Sequence, residues 1–282
     1  MRSTATVFLW LLTTMLFAVA LPAAWAQVHL IDQNGYAALA RAAAADPKLQ
    51  SAMAAELTSQ VGRLSAAADS TMVGPIARLY TASSAFPAQF GQANAFAHRW
   101  LFTGTAGSAI DEQGRWVIDF APMLSDVAFA QTLRDYNISV PTSVPIPLTD
   151  SVSPAVRPGA LHEIGMWWPW ATIGVGLLAA ASALLMLLAA HSRGKALTAL
   201  GVSALLVGAI GWAAIEFGQH YLNSLLNETS GSVRTVADAM VATAQDSMHQ
   251  WLDVALIAGG GLVLVGVIVS LLTGLARPVS GS

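Results

Sequence analysis

Four stretches of this chain carry no charged side chain: Ser3–Ile31, Ile164–Ser192, Ala196–Ile215 and Val254–Ala276. Together they cover 101 of the 282 residues. An α-helix rises about 1.5 Å per residue, so about 20 apolar residues cross a hydrocarbon core of ~30 Å. Each stretch reaches that length. Inside lipid a backbone must satisfy its own hydrogen bonds, so each stretch reads as a helix. The 13 basic and 16 acidic residues crowd into what is left and make up only 10% of the chain, against roughly 25% in soluble domains. The chain reads as a membrane protein with one sizeable aqueous domain.

Two function classes fall at once. A net charge of −3 with two lysines excludes a nucleic-acid binder held by phosphate contacts. The absence of cysteine removes disulfides, thiolate metal sites, iron–sulfur clusters and cysteine nucleophiles.

The second, third and fourth stretches are spans. The first has two readings. Arg2, the apolar run Val7–Ala24 interrupted by Thr13 and Thr14, then Pro22 and Ala24-Trp25-Ala26, have the three regions of a secretory signal with an A-x-A cleavage site. The same residues also make a retained signal-anchor helix. Both readings orient the rest of the chain identically.

Orientation follows from basic residues near the span ends. Arg2, the Arg193/Lys195 link and Arg277 belong to the cytoplasmic side. The segments Gln27–Glu163, with 8 basic and 11 acidic residues, and Glu216–Asp253, with 1 and 5, belong outside. The expected location is the plasma membrane, multi-pass, with the main domain extracytoplasmic and both termini in the cytoplasm. The expected organisation is a signal-anchor or first span over 1–26, an extracytoplasmic domain over 27–150 and a linker over 151–165. A span over 166–190, a cytoplasmic link over 191–195 and a span over 196–217 follow. An outer amphipathic helix over 218–251, a span over 252–275 and a tail over 276–282 complete it. The link and tail are too short for a kinase, nucleotide-binding or DNA-binding output domain.

The outer domain reads as mostly helical with one small β-hairpin. Asn34 is placed to cap a helix over Gly35–Ala45. Asp46-Pro47 is an N-cap followed by proline at the first helical position. From there Leu49, Met53, Leu57, Val61 and Leu64 repeat at three or four, predicting a helix to about Ala68. Gly74-Pro75 is expected to break the pattern. Ser84 is placed to cap a helix from about Phe86 to Phe102, ended by Gly104. Trp116, Ile118 and Phe120 alternate with Val117 and Asp119 after the turn-like Asp111–Gly114, which predicts the hairpin over Ile110–Phe120. A helix from Pro122 to about Tyr136 is expected next. The proline-rich Val140–Pro154 must be extended. A second outer element, Ser230–Gln250, puts Val233, Val236, Ala237, Met240, Val241, Ala244 and Met248 on one stripe, with Ser230 or Ser232 as cap. With a single arginine it is a poor binder of anionic membrane, so its stripe is expected to pack on the outer domain.

The ordered strings Asp46-Pro47-Lys48-Leu49-Gln50, Gln92-Ala93-Asn94-Ala95-Phe96-Ala97-His98, Gly104, Gly114-Arg115-Trp116-Val117-Ile118-Asp119-Phe120 and Val144-Pro145-Ile146-Pro147-Leu148 resemble a family of actinobacterial envelope proteins, mycobacterial or corynebacterial in style, without an established biochemical role. The resemblance covers most of the chain. It implies one N-terminal span that is kept, an extracytoplasmic domain, and three further spans with an outer helix before the last. It implies no mechanism.

Candidate chemistry is sparse. Asn94 and His98 share a helical face beside Arg99; a general base at His98 oriented by Asn94 is one reading, and a hydrogen-bonded structural pair the other. The six histidines are scattered and no H-E-x-x-H spacing is present, so no metal is expected. Asp111, Glu112 and Asp119 are candidate paired carboxylates, but the first two sit in the expected hairpin turn, where solvated turn residues are the ordinary reading. No G-x-S-x-G occurs, so a hydrolase elbow is absent. Glu216 with His220 four residues on is a candidate proton relay, or an interfacial pair reaching water beyond Trp212. Ala204/Gly208 and Ala179/Ala183 are small-xxx-small pairs suited to contact between spans or with partner helices. Trp167, Trp168 and Trp170 form an aromatic belt. The candidate structural or interaction residues are therefore Asn94, His98, Trp116, Glu216, His220, Ala204 and Gly208, with no catalytic, cofactor or metal residue assigned. The expected function is a non-catalytic envelope membrane protein, an accessory or stabilising subunit of a larger envelope or transport complex, with the bilayer and other proteins as partners and no nucleic acid. The alternative is an extracytoplasmic carrier of lipid or another apolar ligand, with its groove between the outer domain and the Ser230–Gln250 helix. A membrane hydrolase using His98 is the minor alternative.

Overall fold

The computed structural model describes residues 2–64, 70–103, 109–110, 116–119, 145–147, 159–190, 192–226 and 231–275. In chain order these form α1 (Arg2–Ala26), a π-helical turn (Gln27–Ile31), α2 (Gln33–Ala43), α3 (Pro47–Leu64), α4 (Ser70–Thr81) and α5 (Phe86–Thr103). Three short strands follow, β1 (Ala109–Ile110), β2 (Trp116–Asp119) and β3 (Pro145–Pro147), then α6 (His162–Ala189), α7 (Arg193–Leu226) and α8 (Gly231–Leu275). The described chain is mainly helical and divides into two compact units. Four helices are long and apolar enough to cross a membrane: Thr6–Ile31, His162–Ala189, Arg193–Gly218 and Gly231–Thr273.

The first unit comprises Met1–Gln27, Pro169–Leu225 and Ala244–Ser282. Within it α7 and α8 run antiparallel along a seam of small residues. A Cβ placed on Gly201 would stand 2.6 Å from the Gly259 carbonyl oxygen and 2.7 Å from the Val263 nitrogen. One placed on Gly208 would meet the Leu256 side chain at 2.6 Å, and one on Gly266 the Thr198 nitrogen at 2.5 Å. Lipid tails are as apolar as leucine, so burial supplies no drive between spans. Close backbone approach and its dispersion contacts supply it instead.

α1 joins this unit through polar contacts. Trp10 Nε1 donates to the Ala199 carbonyl at 3.0 Å, Thr14 Oγ1 lies 2.7 Å from Ser203 Oγ, and Thr13 Oγ1 donates to Ser182 Oγ at 3.0 Å. Residues 10 and 14 meeting 199 and 203 make α1 and α7 parallel. The Arg2 end of α1, the Arg193 end of α7 and the Leu275 end of α8 therefore share one end of the unit.

The helices differ from the sequence expectation in extent. α7 continues to Leu226. α8 runs unbroken from Gly231 through Trp251, where an amphipathic helix was expected to end and a span to begin. No proline lies between Gly231 and Leu275 and no glycine between Gly231 and Gly259, so nothing in the backbone stops the helix. At about 1.5 Å per residue its 45 residues exceed twice the ~30 Å hydrocarbon thickness.

The second unit comprises Val28–Trp168 and Leu226–Thr243. Its core is Ala40, Ala43, Ala44, Leu49, Phe86, Phe90 and Ala239, with Met53, Tyr80, Val236 and Met240 packed against it. Of the stripe expected over Ser230–Gln250, Val236 and Met240 pack on this core, beside Ala239, which the stripe did not include. α2 pairs with α5 and α3 with α4. Tyr80 donates to Gln89 Oε1 at 2.5 Å, and Phe86 stands edge-on to Tyr80.

Local chemistry shifts several boundaries. Asp32 caps α2, its carboxylate accepting from the Gly35 nitrogen at 2.8 Å; Asn34, the expected cap, lies inside the first turn. Asp46 caps α3 as expected, accepting from the Lys48 nitrogen at 2.7 Å. Gly74-Pro75 does not break the chain: both lie within α4. A proline there removes one helical hydrogen bond. Pro75 faces outward, while the burial of Ala77 and Thr81 further along holds the helix in place. Ser232 does not cap α8; it donates to Glu56 Oε2 at 2.6 Å and ties the helix start to α3.

β1–β2–β3 form a short antiparallel ladder, with Ile110 opposite Trp116 and Ile118 opposite Ile146. The hairpin expected over Ile110–Phe120 is not supported as a unit. Its turn, 111–115, and Phe120 lie outside the described residues, and strands of two to four residues are marginal by themselves. The helix expected from Pro122 to Tyr136, the Gly104 terminator, the end of α3 at Ala68, and all of Val140–Pro154 except Pro145–Pro147 also lie outside the described residues.

Candidate functional site

The last turns of α5 gather polar and aromatic contacts from several segments of the second unit. His98, 6% exposed, sits 2.9 Å through Nε2 from the Leu30 carbonyl in the π-helical turn. A carbonyl only accepts, so Nε2 carries the proton and donates. The ring stacks on Phe102, centroids 4.2 Å apart at 12°, and lies 5.3 Å from Tyr36. Burial raises the Tyr36 phenol above its ordinary value of 10.0.

The Leu30 carbonyl needs this donor because a π-helical turn at the end of a helix leaves carbonyls without intrahelical partners. The turn is held tightly on its other side: a Cβ on Gly35 would collide with the Val28 carbonyl oxygen, so only glycine fits there. Asn94 does not orient His98. Its Nδ2 donates to Phe90 O at 2.9 Å, one turn back on its own helix. Arg99 is exposed, its guanidinium 5.9 Å from the Phe96 ring centroid.

The carbonyls that end α5 are taken up by the segment leading into α6. Gly159 N donates to Trp100 O and Leu161 N to Leu101 O, both at 3.0 Å, and His162 Nδ1 donates to Phe102 O at 3.1 Å. Gly159 makes the bend at φ 71°. Gly165 has no room for a side chain against the Phe102 ring. α5 therefore fixes, inside the second unit, both the chain arriving from α1 and the chain departing into α6. Leu30, Tyr36, Phe102, Gly159 and His162 were not legible as members of this cluster, because their partners lie up to 68 residues away in sequence. The one sequence signal was a histidine on the apolar face of a helix.

The Glu216/His220 pair resolves differently. Glu216 is exposed on α7, and the His220 side chain lies outside the described residues. The ionisable groups that meet near this end of α7 are His249 and Asp253 of α8. Trp212 Nε1 donates to Asp253 Oδ1 at 3.2 Å, and His249 stacks on the Trp212 ring with centroids 3.9 Å apart. Close by in sequence, Trp25 donates to Ser247 Oγ at 3.2 Å.

Ala204 and Gly208 both lie in the α7–α8 seam: Ala204 is 6% exposed with its Cβ facing Gly259, and Gly208 faces Leu256. Their small-residue face is used between spans of the same chain. Trp116 lies in β2 opposite Ile110. Trp167 and Trp170 are exposed near the start of α6. Among the described residues no three His, Cys, Asp or Glu side chains converge as a metal site would require.

No family model matches this chain, and no curated protein or solved structure matches it.

Proposed function

We propose that this chain is a non-catalytic integral protein of the cell envelope, an accessory or stabilising subunit of a larger envelope or transport assembly. Its main domain faces outward from the plasma membrane, and both termini lie in the cytoplasm. The observation that carries this reading is the pairing of four membrane-length apolar helices with a separately packed helical unit built on its own core. The gathering of Arg2, Arg193 and Lys195 toward one end of the apolar unit supports the orientation, since basic ends stay inside. The resemblance to actinobacterial envelope proteins supports the location.

His98 supports a structural rather than a catalytic part for the outer unit. A general base needs an imidazole nitrogen within reach of a substrate proton; here Nε2 is committed to a backbone carbonyl. The seam glycines are consumed within the chain, so the outer unit and the lipid-facing sides of the helices are what it offers to other proteins. The place between the outer domain and the start of α8, where an apolar-ligand groove was the alternative, is filled by Val236, Ala239 and Met240 against the core.

Purification from native membranes in mild detergent tests the reading. The expected outcome is a defined protein partner retained at constant stoichiometry through two chromatographic steps. A lone monomer, or a preparation whose only constant companion is lipid, overturns it.

A further inference from the structure

Among the described residues four buried side-chain atoms have no hydrogen-bond partner: Gln27 Oε1, Trp100 Nε1, Thr172 Oγ1 and His249 Nε2. Trp100 belongs to the second unit and the other three to the first. The helix registers bring those three together. Thr14 lies beside Ser203 on the parallel α7, so nine positions on Ala23 is level with Trp212. Thr13 lies beside Ser182 on the antiparallel α6, so ten positions away Ala23 is level with Thr172. Trp25 lies beside Ser247 on the antiparallel α8, so two positions away Ala23 is level with His249. The stack of His249 on Trp212 agrees independently. Gln27 follows one helical turn later. One layer of the bundle, at the end away from Arg2, Arg193 and Leu275, therefore holds all three groups.

The same layer is where the helices are held least firmly. Pro22 lies in α1 next to Ala23, and Pro169 lies in α6 three residues before Thr172. Each removes a helical hydrogen bond, and neither α7 nor α8 contains a proline. Thr14, Thr198 and Thr273 bond the carbonyl four residues back on their own helices; Thr172 does not. The side-chain bonds that cross between helices here, Trp25 to Ser247 and Trp212 to Asp253, are both 3.2 Å. Deeper in the bundle the crossing bonds of Trp10, Thr13 and Thr14 are 2.7–3.0 Å. There the glycine seam also locks α7 against α8.

A polar group buried without a partner in a medium of low dielectric is costly, and water removes that cost. We infer that the bundle opens at this end. The proline-bearing ends of α1 and α6 part from α7 and α8, and water reaches Gln27, Thr172 and His249. The layers from Thr13 and Thr14 inward stay closed. The result is a shallow vestibule floored by paired hydroxyls, not a pore. Which side of the membrane it faces rests on the orientation proposed above; the opening itself does not.

The chain contains no cysteine, so a single introduced thiol reports contact with water. In right-side-out and inverted membrane vesicles, Ala23→Cys should react with a membrane-impermeant sulfonated maleimide. Ser182→Cys, at the closed level below, should react at least about tenfold more slowly. Adding Thr172→Val, Gln27→Leu and His249→Phe to Ala23→Cys removes the three polar groups while keeping their bulk. Labelling should then slow by about tenfold, while the melting temperature in detergent holds or rises, because a buried group without a partner is lost at no cost. Labelling of Ala23→Cys as slow as that of Ser182→Cys, or unchanged by the three apolar substitutions, overturns the inference. So does a triple variant that melts below its parent, since that would show the groups to be paired. Labelling only from the cytoplasmic face would uphold the vestibule and reverse the proposed orientation.

Discussion

The two units hold helices together by different means. In the second unit Leu49, Phe86 and Phe90 interlock with Ala40, Ala43 and Ala239, large side chains filling the space between α2, α3, α5 and the start of α8. In the apolar unit glycines, alanines and hydroxyls bring the helices close beside the buried Met186, Val207 and Leu252, while leucines such as Leu177, Leu188, Leu264 and Leu271 point outward. The difference is one of solvent. Where water surrounds the helices, each large apolar side chain removed from it contributes about 1.5–3 kcal/mol. Where hydrocarbon surrounds them, that gain disappears, and helices adhere through backbone proximity and hydrogen bonds. Along α8 the change is visible in one helix: Val236 and Met240 pack inward near its start, while further along Gly259 and Gly266 join Leu252 in doing so.

The largest effect should come from violating the rule in the seam. Gly201→Leu would drive a side chain into the backbone of Gly259 and Val263, which no rotamer change relieves, so the cost exceeds the ~1–3 kcal/mol of ordinary overpacking. We expect loss of monodisperse protein in size-exclusion chromatography. Gly176→Leu, where nothing lies within 4 Å, should behave as the parent. Equal tolerance of the two would break the comparison.

In the second unit the sensitive change is the opposite one, large to small. Phe90→Ala empties part of the core and is expected to destabilise that unit by about 3–5 kcal/mol, read as lost amide protection across α2 and α5. Its effect on α7 and on the Ala244–Leu275 part of α8 should be small, since sites in separately packed units are nearly independent.

Smaller still is the loss of His98. His98→Leu keeps an apolar ring neighbour for Phe102 but leaves the Leu30 carbonyl without its donor, at a cost of about 1–3 kcal/mol. Hydrogen exchange over residues 28–35 should quicken first. If instead only an enzymatic activity disappeared and exchange held steady, the structural role assigned to this histidine would be wrong.

The smallest expected effect concerns pH. Burial raises the Tyr36 phenol above 10.0, so folding favours the protonated form. The unfolded chain loses its proton first as pH rises, and stability falls from about pH 10 upward through the raised folded value. Tyr36→Phe should flatten that alkaline limb and leave neutral-pH stability within about 0.5 kcal/mol. An unchanged limb in the variant would show that other groups set it.

Much of the architecture was legible residue by residue. The charge-free runs announced all four apolar helices, Asp46-Pro47 announced α3 with its cap, and Phe86–Phe102 matched α5 to within one residue. These signals are local: hydropathy over one helix length, or a cap two residues from its donor. Gly74-Pro75 misled for the same reason, since a local breaker was overruled by packing along α4. The candidate residues were harder. Asn94 and His98 share a face, but nothing in their spacing told that one would bond its own helix and the other a carbonyl in the turn after α1. Glu216 and His220 drew attention by sequence proximity, while Trp212 found His249 and Asp253 about forty positions later.

By itself the amino-acid order determined which segments belong in hydrocarbon, where most helices begin, and that small residues lie along the spans. These follow from solvation and backbone preference, which act on neighbours. Only the tertiary structure decided that Gly201 meets Gly259, that Thr13 meets Ser182, and that α8 runs unbroken past Trp251. Those outcomes depend on which surfaces come within a few ångströms of each other once helices pack, and contact at that range does not follow from sequence separation.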